Sequence, residues 1–267
     1  MSTIQWDPGQ YAKFADARGR PFHELVGRVP VEAPRYVVDL GCGPGDLTAT
    51  LAERWPEAYV EGIDSSPQMI ERATAYTRPG RLEFRVDEVT VWRPARDVDV
   101  LLSNATLQWV PDHLSELPRL IQQVAADGWI AIQVPGNFDA PSHQLLRELR
   151  ESPRWARAFA GVGELFRPMV RPADYLDALH DAGCDRLDVW ETTYDTVLAG
   201  PDPVFEWMKG TGARPYLQAL AASANAESGD EQRFAEEYRA ALAEAYPARP
   251  YGTVMPFRRV FAVAHRP

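Results

Sequence analysis

The stretch RYVVDLGCGPG, residues 35–45, decides the fold that this sequence predicts. A mostly apolar run leads directly into three closely spaced glycines, Gly41, Gly43 and Gly45. A buried strand followed by a glycine-rich turn and a helix is typical of the first βα unit of a doubly wound sheet. Because glycine permits positive φ and a helix start offers unpaired N–H groups, this turn predicts a ligand site.

The pattern continues beyond this stretch. From Arg35 to Val134, short apolar runs alternate with amphipathic segments, as in βαβ units that build a parallel sheet. Helices are expected to begin near Gly45, Ser66 and His113, and Ser66-Pro67 resembles an N-cap followed by a proline at the first helical position. The predicted strands are Tyr36 to Leu40, Tyr59 to Ile63, Leu82 to Val86, Val98 to Ser103 and Gly128 to Val134.

Further elements flank this core. Gly9 to Val29 predicts one or two helices, with Pro21 opening the second, because proline is tolerated where no N–H is needed. Ala173 to Ala182 predicts a helix that ends at Gly183. Arg186 to Tyr194 alternates like an edge strand, and Met255 to His265 is a last strand candidate. The segment between these two strands, Pro201 to Tyr246, predicts a helical insertion.

Together these elements predict an α/β fold with a Rossmann-like, doubly wound, mostly parallel seven-stranded sheet. We expect a single domain over residues 1–267. Its predicted parts are an N-terminal helical cap (1–34), a cofactor-binding core (35–135) and substrate-side helices with the last strands (136–267), including an insertion over 200–250.

Acidic residues stand at three successive strand ends. Asp39, just before the glycines, can receive a ligand ammonium group, and Asp64, after the second strand, can accept both hydroxyls of a ribose. Asp87 or Glu88, after the third strand, can accept from an adenine amino group. The three positions predict one continuous site for adenosylmethionine. Each acid alone also has a plain structural explanation, such as a favourable position at a helix N-terminus.

Other ligands and classes stay open at this point. A dinucleotide loop has the spacing GxGxxG, whereas this loop has GxGxG with Asp46 in the place of the third glycine, which disfavours an NAD-dependent oxidoreductase. A non-catalytic cofactor-binding module is a further alternative. Cys42 is interpreted as a small residue in a tight loop rather than a nucleophile.

Three segments give a family resemblance. VVDLGCGPG (37–45), GIDSSPQMIERA (62–73) and LLSNATLQWVPDH (101–113) resemble class I S-adenosylmethionine methyltransferases. The resemblance implies that S-adenosylmethionine is the cofactor and that an asparagine ends the fourth strand. The candidate cofactor-binding residues are Asp39, Gly41, Cys42, Gly43, Gly45, Asp64, Ser65, Asp87, Glu88, Val89, Asn104, Ala105 and Trp109.

A narrower resemblance spans nearly the whole chain. The segments that carry it resemble trans-aconitate 2-methyltransferases, and they are WDPGQYAKFADARGRPF (6–22), SNATLQWVPDH (103–113), WETTY (190–194), TGARPYLQAL (211–220), and AYP (245–247) followed by PFRRVFAVA (256–264). The implied reaction is esterification of one carboxylate of trans-aconitate to a monomethyl ester, with release of S-adenosylhomocysteine. The alternative is a methyltransferase for another small carboxylic acid or a natural-product oxygen.

This chemistry predicts which residues bind the substrate. A carboxylate is already ionised at neutral pH, so no catalytic base is expected and catalysis rests on proximity and orientation. A tricarboxylate requires arginines, whose planar guanidinium groups pair with carboxylates in bidentate fashion. The candidate substrate-binding residues are Trp6, Tyr11, Arg18, Arg20, Gln108, Arg171, Tyr194, Arg214, Tyr216 and Arg259.

Composition limits the classes further. The formal net charge of -10 argues against binding to nucleic acid or anionic membranes. The two cysteines, Cys42 and Cys184, lack the spacing of a disulfide framework or zinc site, and no metal is expected. Without a signal-like start or a long apolar run, the sequence predicts a cytoplasmic protein with a small-molecule partner, present as a monomer or weak homo-oligomer.

Overall fold

A seven-stranded sheet organises the protein. The computed structural model describes residues 15–163 and 170–267. The strands are β1 (Tyr36–Leu40), β2 (Tyr59–Asp64), β3 (Leu82–Val86), β4 (Val98–Asn104), β5 (Val124–Pro135), β6 (Asp185–Leu198) and β7 (Thr253–Arg266). Their order is β3-β2-β1-β4-β5-β7-β6. Strands β1 to β5 pair in parallel and β7 runs antiparallel to β5. This confirms the predicted doubly wound, mostly parallel sheet.

The helices begin close to the predicted positions. Ser66 caps the third helix, because its hydroxyl accepts the Met69 N–H at 3.4 Å and Pro67 holds the first position. The segment from His113 starts as a single 3-10 turn and then continues as an α-helix. The α-helices are α1 (Ala15–Gly27), α2 (Asp46–Arg54), α3 (Pro67–Ala73), α4 (Leu117–Ile121), α5 (Pro141–Glu151), α6 (Pro172–Asp181), α7 (Pro203–Lys209), α8 (Arg214–Ala222) and α9 (Asp230–Ala245).

Of the predicted one or two helices, the alternative in which Pro21 opens a second helix was wrong. Pro21 lies inside α1, where its missing N–H removes one backbone hydrogen bond. Phe22 and Leu25 on the same helix are fully buried, and α1 packs against β5. The burial of these apolar side chains keeps the helix continuous across the proline. The part of the predicted segment before Ala15 lies outside the described residues.

The described chain forms two compact units. The first unit comprises Ala15–Pro135, Val170–Thr192 and Arg259–Pro267, and it contains β1 to β5. The second unit comprises residues 136–163 and 193–258 and is mostly helical. The predicted division into cap, core and substrate-side part stays a prediction.

Each unit has its own apolar core. In the first unit all five residues of β1 are buried, as expected for a central strand covered on both faces. In the second unit Trp155 and Phe159 pack edge-to-face against Phe234, and Trp155 donates its indole N–H to Glu237 at 2.7 Å. The sheet edge that faces a ligand in this fold class belongs to the first unit.

Candidate active site

The loop after β1, residues 41–45, folds back onto β2 and is called the glycine loop below. The N–H groups of Gly41 and Cys42 both donate to the carbonyl oxygen of Ile63, at 2.6 and 2.9 Å. Gly41 and Gly45 have φ of 81° and 84°, in the left-handed region that favours glycine. The loop therefore has a fixed shape at the carboxyl end of the strand.

Two of its glycines are also required by packing. A Cβ on Gly41 would lie 2.0 Å from Thr106 Oγ1, and a Cβ on Gly45 would lie 2.7 Å from Ala73 Cβ. At Gly43, in contrast, a Cβ would meet nothing within 4 Å. The loop is thus tightly packed on one side and open at Gly43, where a ligand can approach the backbone.

Thr106 supports the loop from the turn after β4, and its role was not predicted from the sequence. Its hydroxyl lies 3.3 Å from the carbonyl oxygen of Gly41 and 3.1 Å from that of Asn104, and it can donate to either. The threonine thereby links the turn after β1 to the end of β4. A small polar residue two positions after a strand end carries no sequence signal that distinguishes this role from an ordinary turn.

Asp64 has a fixed carboxylate at the end of β2. Its Oδ2 accepts the Gly43 N–H at 3.0 Å and its Oδ1 accepts the Ser66 N–H at 2.8 Å. Burial raises the pKa of this carboxyl, and the two N–H groups partly offset that rise. Each oxygen retains a further lone pair for a ligand hydroxyl. Ser65, the exposed neighbour, lies at the same strand end.

Asp39 is buried on β1, only 3% exposed. The hydroxyl of Thr48 donates to its Oδ2 at 2.6 Å. Burial raises the pKa of Asp39 to about 7, and the charges of Asp64 and Asp46 act in the same direction. A cation placed beside this carboxyl would therefore gain a nearby negative charge and favour its ionised form.

Asp87 is connected to Asp64 through the backbone, which distinguishes it from Glu88. The Asp87 N–H donates to the carbonyl oxygen of Asp64 at 3.1 Å, and its carboxylate accepts the Glu88 N–H at 2.8 Å. Arg85 lies 3.5 Å from the same carboxylate. The side chain of Glu88 is exposed, and Val89 beside it is half-buried.

Three amide side chains near the ends of β4 and β5 form a contrasting group, called the amide cluster: Asn104, Gln108 and Gln133. Within residues 15–163 and 170–267, Asn104 Oδ1, Gln108 Oε1 and Gln133 Nε2 are buried and have no hydrogen-bond partner. The backbone of Ala105 connects the cluster, since its N–H donates to Gln133 O at 2.9 Å and its carbonyl accepts Gln108 Nε2 at 2.6 Å.

Two features of this region bear on a ligand. Ala105 has φ of 53°, a conformation that costs energy in a non-glycine residue. Trp109, in the single 3-10 turn Leu107–Trp109, is half-buried. Gln133 was missed by the sequence analysis, although a polar residue within the apolar run IAIQV was a signal that could have found it.

The remaining predicted substrate-binding residues do not all lie in one unit of the described chain. Trp6 and Tyr11 lie outside the described residues, as does the side chain of Arg18, whose backbone is in α1. In the first unit, Arg20 is exposed on α1 and Arg259 stands opposite Pro135 in the β5–β7 ladder. In the second unit, α8 begins at Arg214, and Tyr194 and Tyr216 are buried.

Arg171 has a different environment from the one predicted. Its guanidinium pairs with Asp174 at 2.9 Å, and its backbone N–H donates to the same carboxylate at 2.8 Å. The pair caps the N-terminus of α6, and the arginine side chain is largely exposed. Because this guanidinium already has a carboxylate partner, we do not include Arg171 among the proposed substrate ligands.

Comparisons with known proteins identify the family. A methyltransferase-domain family model matches residues 11–189. The chain is 51% identical to trans-aconitate 2-methyltransferase of Streptomyces avermitilis, covering 98% of this chain and 97% of the relative. It is also 51% identical to the enzyme of that name from Rhodococcus jostii, covering 97% and 98%. The chain belongs to the methyltransferase family.

Solved structures agree on the fold. A putative methyltransferase from Bacillus halodurans has a TM-score of 0.55 at 13% identity, covering 93% of this chain and 99% of the other. Geranyl diphosphate C-methyltransferase from Streptomyces coelicolor has a TM-score of 0.50 at 16% identity, covering 97% and 82%. At these identities the similarity concerns the fold, and it confirms the predicted class I methyltransferase architecture.

The residues of this methyltransferase fit its cofactor, S-adenosylmethionine. The open side of the glycine loop at Gly43 leaves room for a ligand, and the fixed carboxylate of Asp64 stands beside it. The buried Asp39 carboxyl stands on β1 just before the loop, and in its ionised form it would provide the negative charge that an ammonium group requires. The predicted cofactor is thereby confirmed as that of the enzyme class.

Two further observations concern the Cys42 thiol and the helices of this methyltransferase. Burial raises the pKa of the Cys42 thiol well above its usual range, and the side chain is 7% exposed, which supports a packing role. Among the helices in the described parts of the chain, none combines the length and apolar character needed to cross a membrane.

Proposed function

We propose that this methyltransferase esterifies one carboxylate of trans-aconitate to its monomethyl ester. The observation that carries the proposal is the 51% identity, over nearly the full length of both chains, to relatives named trans-aconitate 2-methyltransferase. The carboxylates and glycine loop at the ends of β1 to β3 support a cofactor site that such a reaction requires. A methyltransferase for another small carboxylic acid is the alternative.

The reaction places modest demands on the protein. When bound, S-adenosylmethionine would supply the methyl group from its sulfonium to a carboxylate oxygen and would leave as S-adenosylhomocysteine. A carboxylate is ionised at neutral pH, so no side chain has to remove a proton. The protein's contribution is to hold the carboxylate oxygen in line, worth about 7 to 11 kcal/mol in well-aligned models.

Each cofactor residue has a role in this proposal. Asp64 accepts the ribose hydroxyls, since its carboxylate is already oriented by the N–H groups of Gly43 and Ser66. Asp39 faces the ammonium group. Asp87, rather than Glu88, accepts from the adenine amino group, because its backbone is bonded to Asp64. The remaining proposed cofactor contacts are Gly41, Cys42, Gly45, Ser65, Val89, Asn104, Ala105 and Trp109.

The substrate side needs positive charge. Arg20 and Arg259 of the first unit are the proposed carboxylate ligands there, with Gln108 as a polar neighbour. Arginine suits this task because its planar guanidinium pairs with a carboxylate through two hydrogen bonds. Other substrate candidates rest on their residue types and on the sequence resemblance alone, namely Trp6, Tyr11, Arg18, Tyr194, Arg214 and Tyr216.

We further propose that the enzyme acts in the cytoplasm. Both cysteines, Cys42 and Cys184, are unpaired and buried, which suits a reducing compartment. The predicted monomeric or weakly oligomeric state, and the absence of nucleic-acid binding expected from the net charge, stay predictions.

One reaction tests the proposal. Purified enzyme is incubated with methyl-labelled S-adenosylmethionine and trans-aconitate, and the products are separated and analysed by mass spectrometry. We expect a labelled monomethyl ester and S-adenosylhomocysteine in equal amounts. A parallel panel of other small acids identifies the alternative function if one of them is esterified and trans-aconitate is not.

Replacing Asp64 by Ala tests the cofactor assignment. We expect the Kd for S-adenosylhomocysteine to rise roughly hundredfold or more, because two hydrogen bonds to a charged group are lost. Isothermal titration calorimetry measures the Kd, and circular dichroism checks that the variant folds. Glu83→Ala, a change to an exposed residue of β3, is the matched control. An unchanged Kd in the Asp64 variant contradicts the assignment.

A further inference from the structure

Gln133 has an unexpected environment for a long polar side chain. It lies on β5, it is 1% exposed, and its Nε2 has no hydrogen-bond partner among residues 15–163 and 170–267. Buried polar groups are almost always hydrogen-bonded, and each exception calls for an explanation. A ligand that accepts a hydrogen bond from this amide provides one.

The strand order indicates which ligand this is. Along the sheet, Asp87, Asp64 and the glycine loop stand at the ends of β3, β2 and β1, and the proposed cofactor contacts extend no further than the end of β4. Gln133 lies on β5, two strands beyond β1 on the other side. At about 4.8 Å per strand, this is on the order of 10 Å beyond the loop. The position favours the methyl acceptor over the cofactor.

The pairing register places a cation on the same face. Gln133 pairs with Asn104 on β4 and stands opposite Phe261 on β7, while Arg259 stands opposite Pro135. Directly opposed residues share a face of the sheet, as do residues two apart along a strand. Arg259 is therefore the diagonal neighbour of Gln133 on its own face, roughly 7 to 8 Å away and within reach of long side chains.

We propose that Gln133 binds the acceptor acid and determines its specificity. Its carboxamide donates a hydrogen bond to one carboxylate of the acid, and the Arg259 guanidinium supplies the charge on the same face. A neutral donor binds a carboxylate at a defined place without adding a second buried charge, which would be costly. This inference rests on the proposed function, because it assumes that the acceptor is a carboxylate.

Equilibrium binding tests the proposal. Gln133→Met keeps the length of the side chain and removes its donor, whereas Gln133→Glu replaces the donor with an acceptor. Calorimetry measures the Kd of trans-aconitate for enzyme saturated with S-adenosylhomocysteine, and separately the Kd of S-adenosylhomocysteine. We expect Gln133→Met to weaken trans-aconitate binding about tenfold to hundredfold, and Gln133→Glu to weaken it further. The affinity for S-adenosylhomocysteine should change less than about twofold.

The control is Gln122→Met, the same change at an exposed glutamine beside α4, and both affinities should stay at their wild-type values. Retained binding of S-adenosylhomocysteine also shows that each variant is folded. If Gln133→Met does not fold, Gln133→Asn, which keeps the amide one methylene shorter, provides the comparison.

The outcomes separate this inference from the proposed function. Unchanged trans-aconitate binding in Gln133→Met, or an equal loss of S-adenosylhomocysteine binding, overturns the role of Gln133. If the wild-type enzyme esterifies a different small acid, the proposed function fails, and the same variants test Gln133 with that acid. If the wild-type enzyme esterifies no acid, both proposals fail.

Discussion

The glycine loop and the amide cluster lie at the same end of the sheet but differ in how their polar groups are satisfied. Around the loop, the backbone bonds to Ile63 and Asp64, and the buried Asp39 bonds to Thr48. In the amide cluster, three buried polar atoms have no partner within the described residues. The two regions therefore differ in whether their buried polar groups already have partners within the described residues.

The difference has a physical meaning. A site whose groups are already bonded in the required geometry loses little entropy when its ligand binds, which suits a cofactor used in every turnover. Unpartnered buried groups cost about 1 to 3 kcal/mol each, and a ligand that satisfies them recovers that cost on binding. With Gln133 as the proposed ligand of the acceptor acid, an acid of the wrong shape would leave its amide unsatisfied, and selectivity would be strong.

The largest expected effect is at the loop. Gly41→Ala should lower the free energy of unfolding by roughly 2 to 6 kcal/mol, because the new Cβ meets Thr106 at 2.0 Å and the residue has φ of 81°. Gly43→Ala should cost only about 1 to 2 kcal/mol, since its Cβ points into open space. Urea denaturation measures both values.

A double variant sharpens this comparison. Thr106→Ala removes the two atoms that the Gly41 Cβ would meet most closely, Oγ1 and Cγ2, and leaves Thr106 Cβ at 2.6 Å, so Gly41→Ala should be less destabilising in that background but still costly. A coupling of zero between the two substitutions would show that packing against Thr106 is not the reason for the glycine.

The second effect concerns pH. With the pKa of Asp39 at about 7 in the cofactor-free protein, S-adenosylhomocysteine should bind about tenfold more tightly at pH 8 than at pH 6, because its ammonium group favours the ionised carboxyl. Calorimetry in matched buffers measures this change. In Asp39→Asn the pH dependence should disappear over this range, and its persistence would assign the titration to another group.

Ionisation of the same carboxyl at higher pH should strengthen the binding of S-adenosylhomocysteine but lower the stability of the cofactor-free protein. A pKa raised above the unfolded value means that the folded protein holds the proton more tightly, so stability falls as pH rises from about 4 to about 7. Asp39→Asn should therefore have a higher Tm than the wild type at pH 8 in the absence of cofactor. A lower Tm would indicate that the bond from Thr48 outweighs the cost of burying the charge.

The smallest expected effect is within the amide cluster, at Ala105. Ala105→Gly should raise the free energy of unfolding by up to about 1 kcal/mol, because glycine adopts the φ of 53° without strain. Ala221→Gly, the same change at an exposed position in α8, should lower it by about 0.5 to 1 kcal/mol. Equal changes in chemical denaturation would show that Ala105 is not strained.

The sequence predicts the parallel core well because its strands are short, apolar and bounded by turns. The structure has β1 and β3 with the predicted limits, and β2 is one residue longer. The prediction for β5 starts at Gly128, but the strand begins at Val124. The four residues before Gly128 include only one polar side chain, but Asp127 has φ of 61° and the pairing with β4 is irregular there, so the strand pattern is interrupted at this point.

The sequence predicts some residues of the candidate site and misses others. Acids at strand ends are visible in the sequence because their chemistry follows a local motif, as Asp39 and Asp64 show. Thr106 contacts Gly41, which is distant in the chain, and local pattern does not reveal that contact. The local pattern does mark Gln133 as a polar residue in an apolar run, but it does not reveal the pairing with Asn104 on β4. Arg171 is the opposite case. Its residue type suits a substrate carboxylate, but in the structure its guanidinium pairs with Asp174.

The buried thiol in the glycine loop has a consequence for oxidative chemistry. Cys42 is little exposed and its pKa is raised, so very little reactive thiolate is available to peroxides or alkylating reagents. The cysteine therefore leaves the folded enzyme resistant to thiol modification within the glycine loop. Conversely, labelling of this residue by a maleimide would report local unfolding of the loop, with a rate that measures how often it opens.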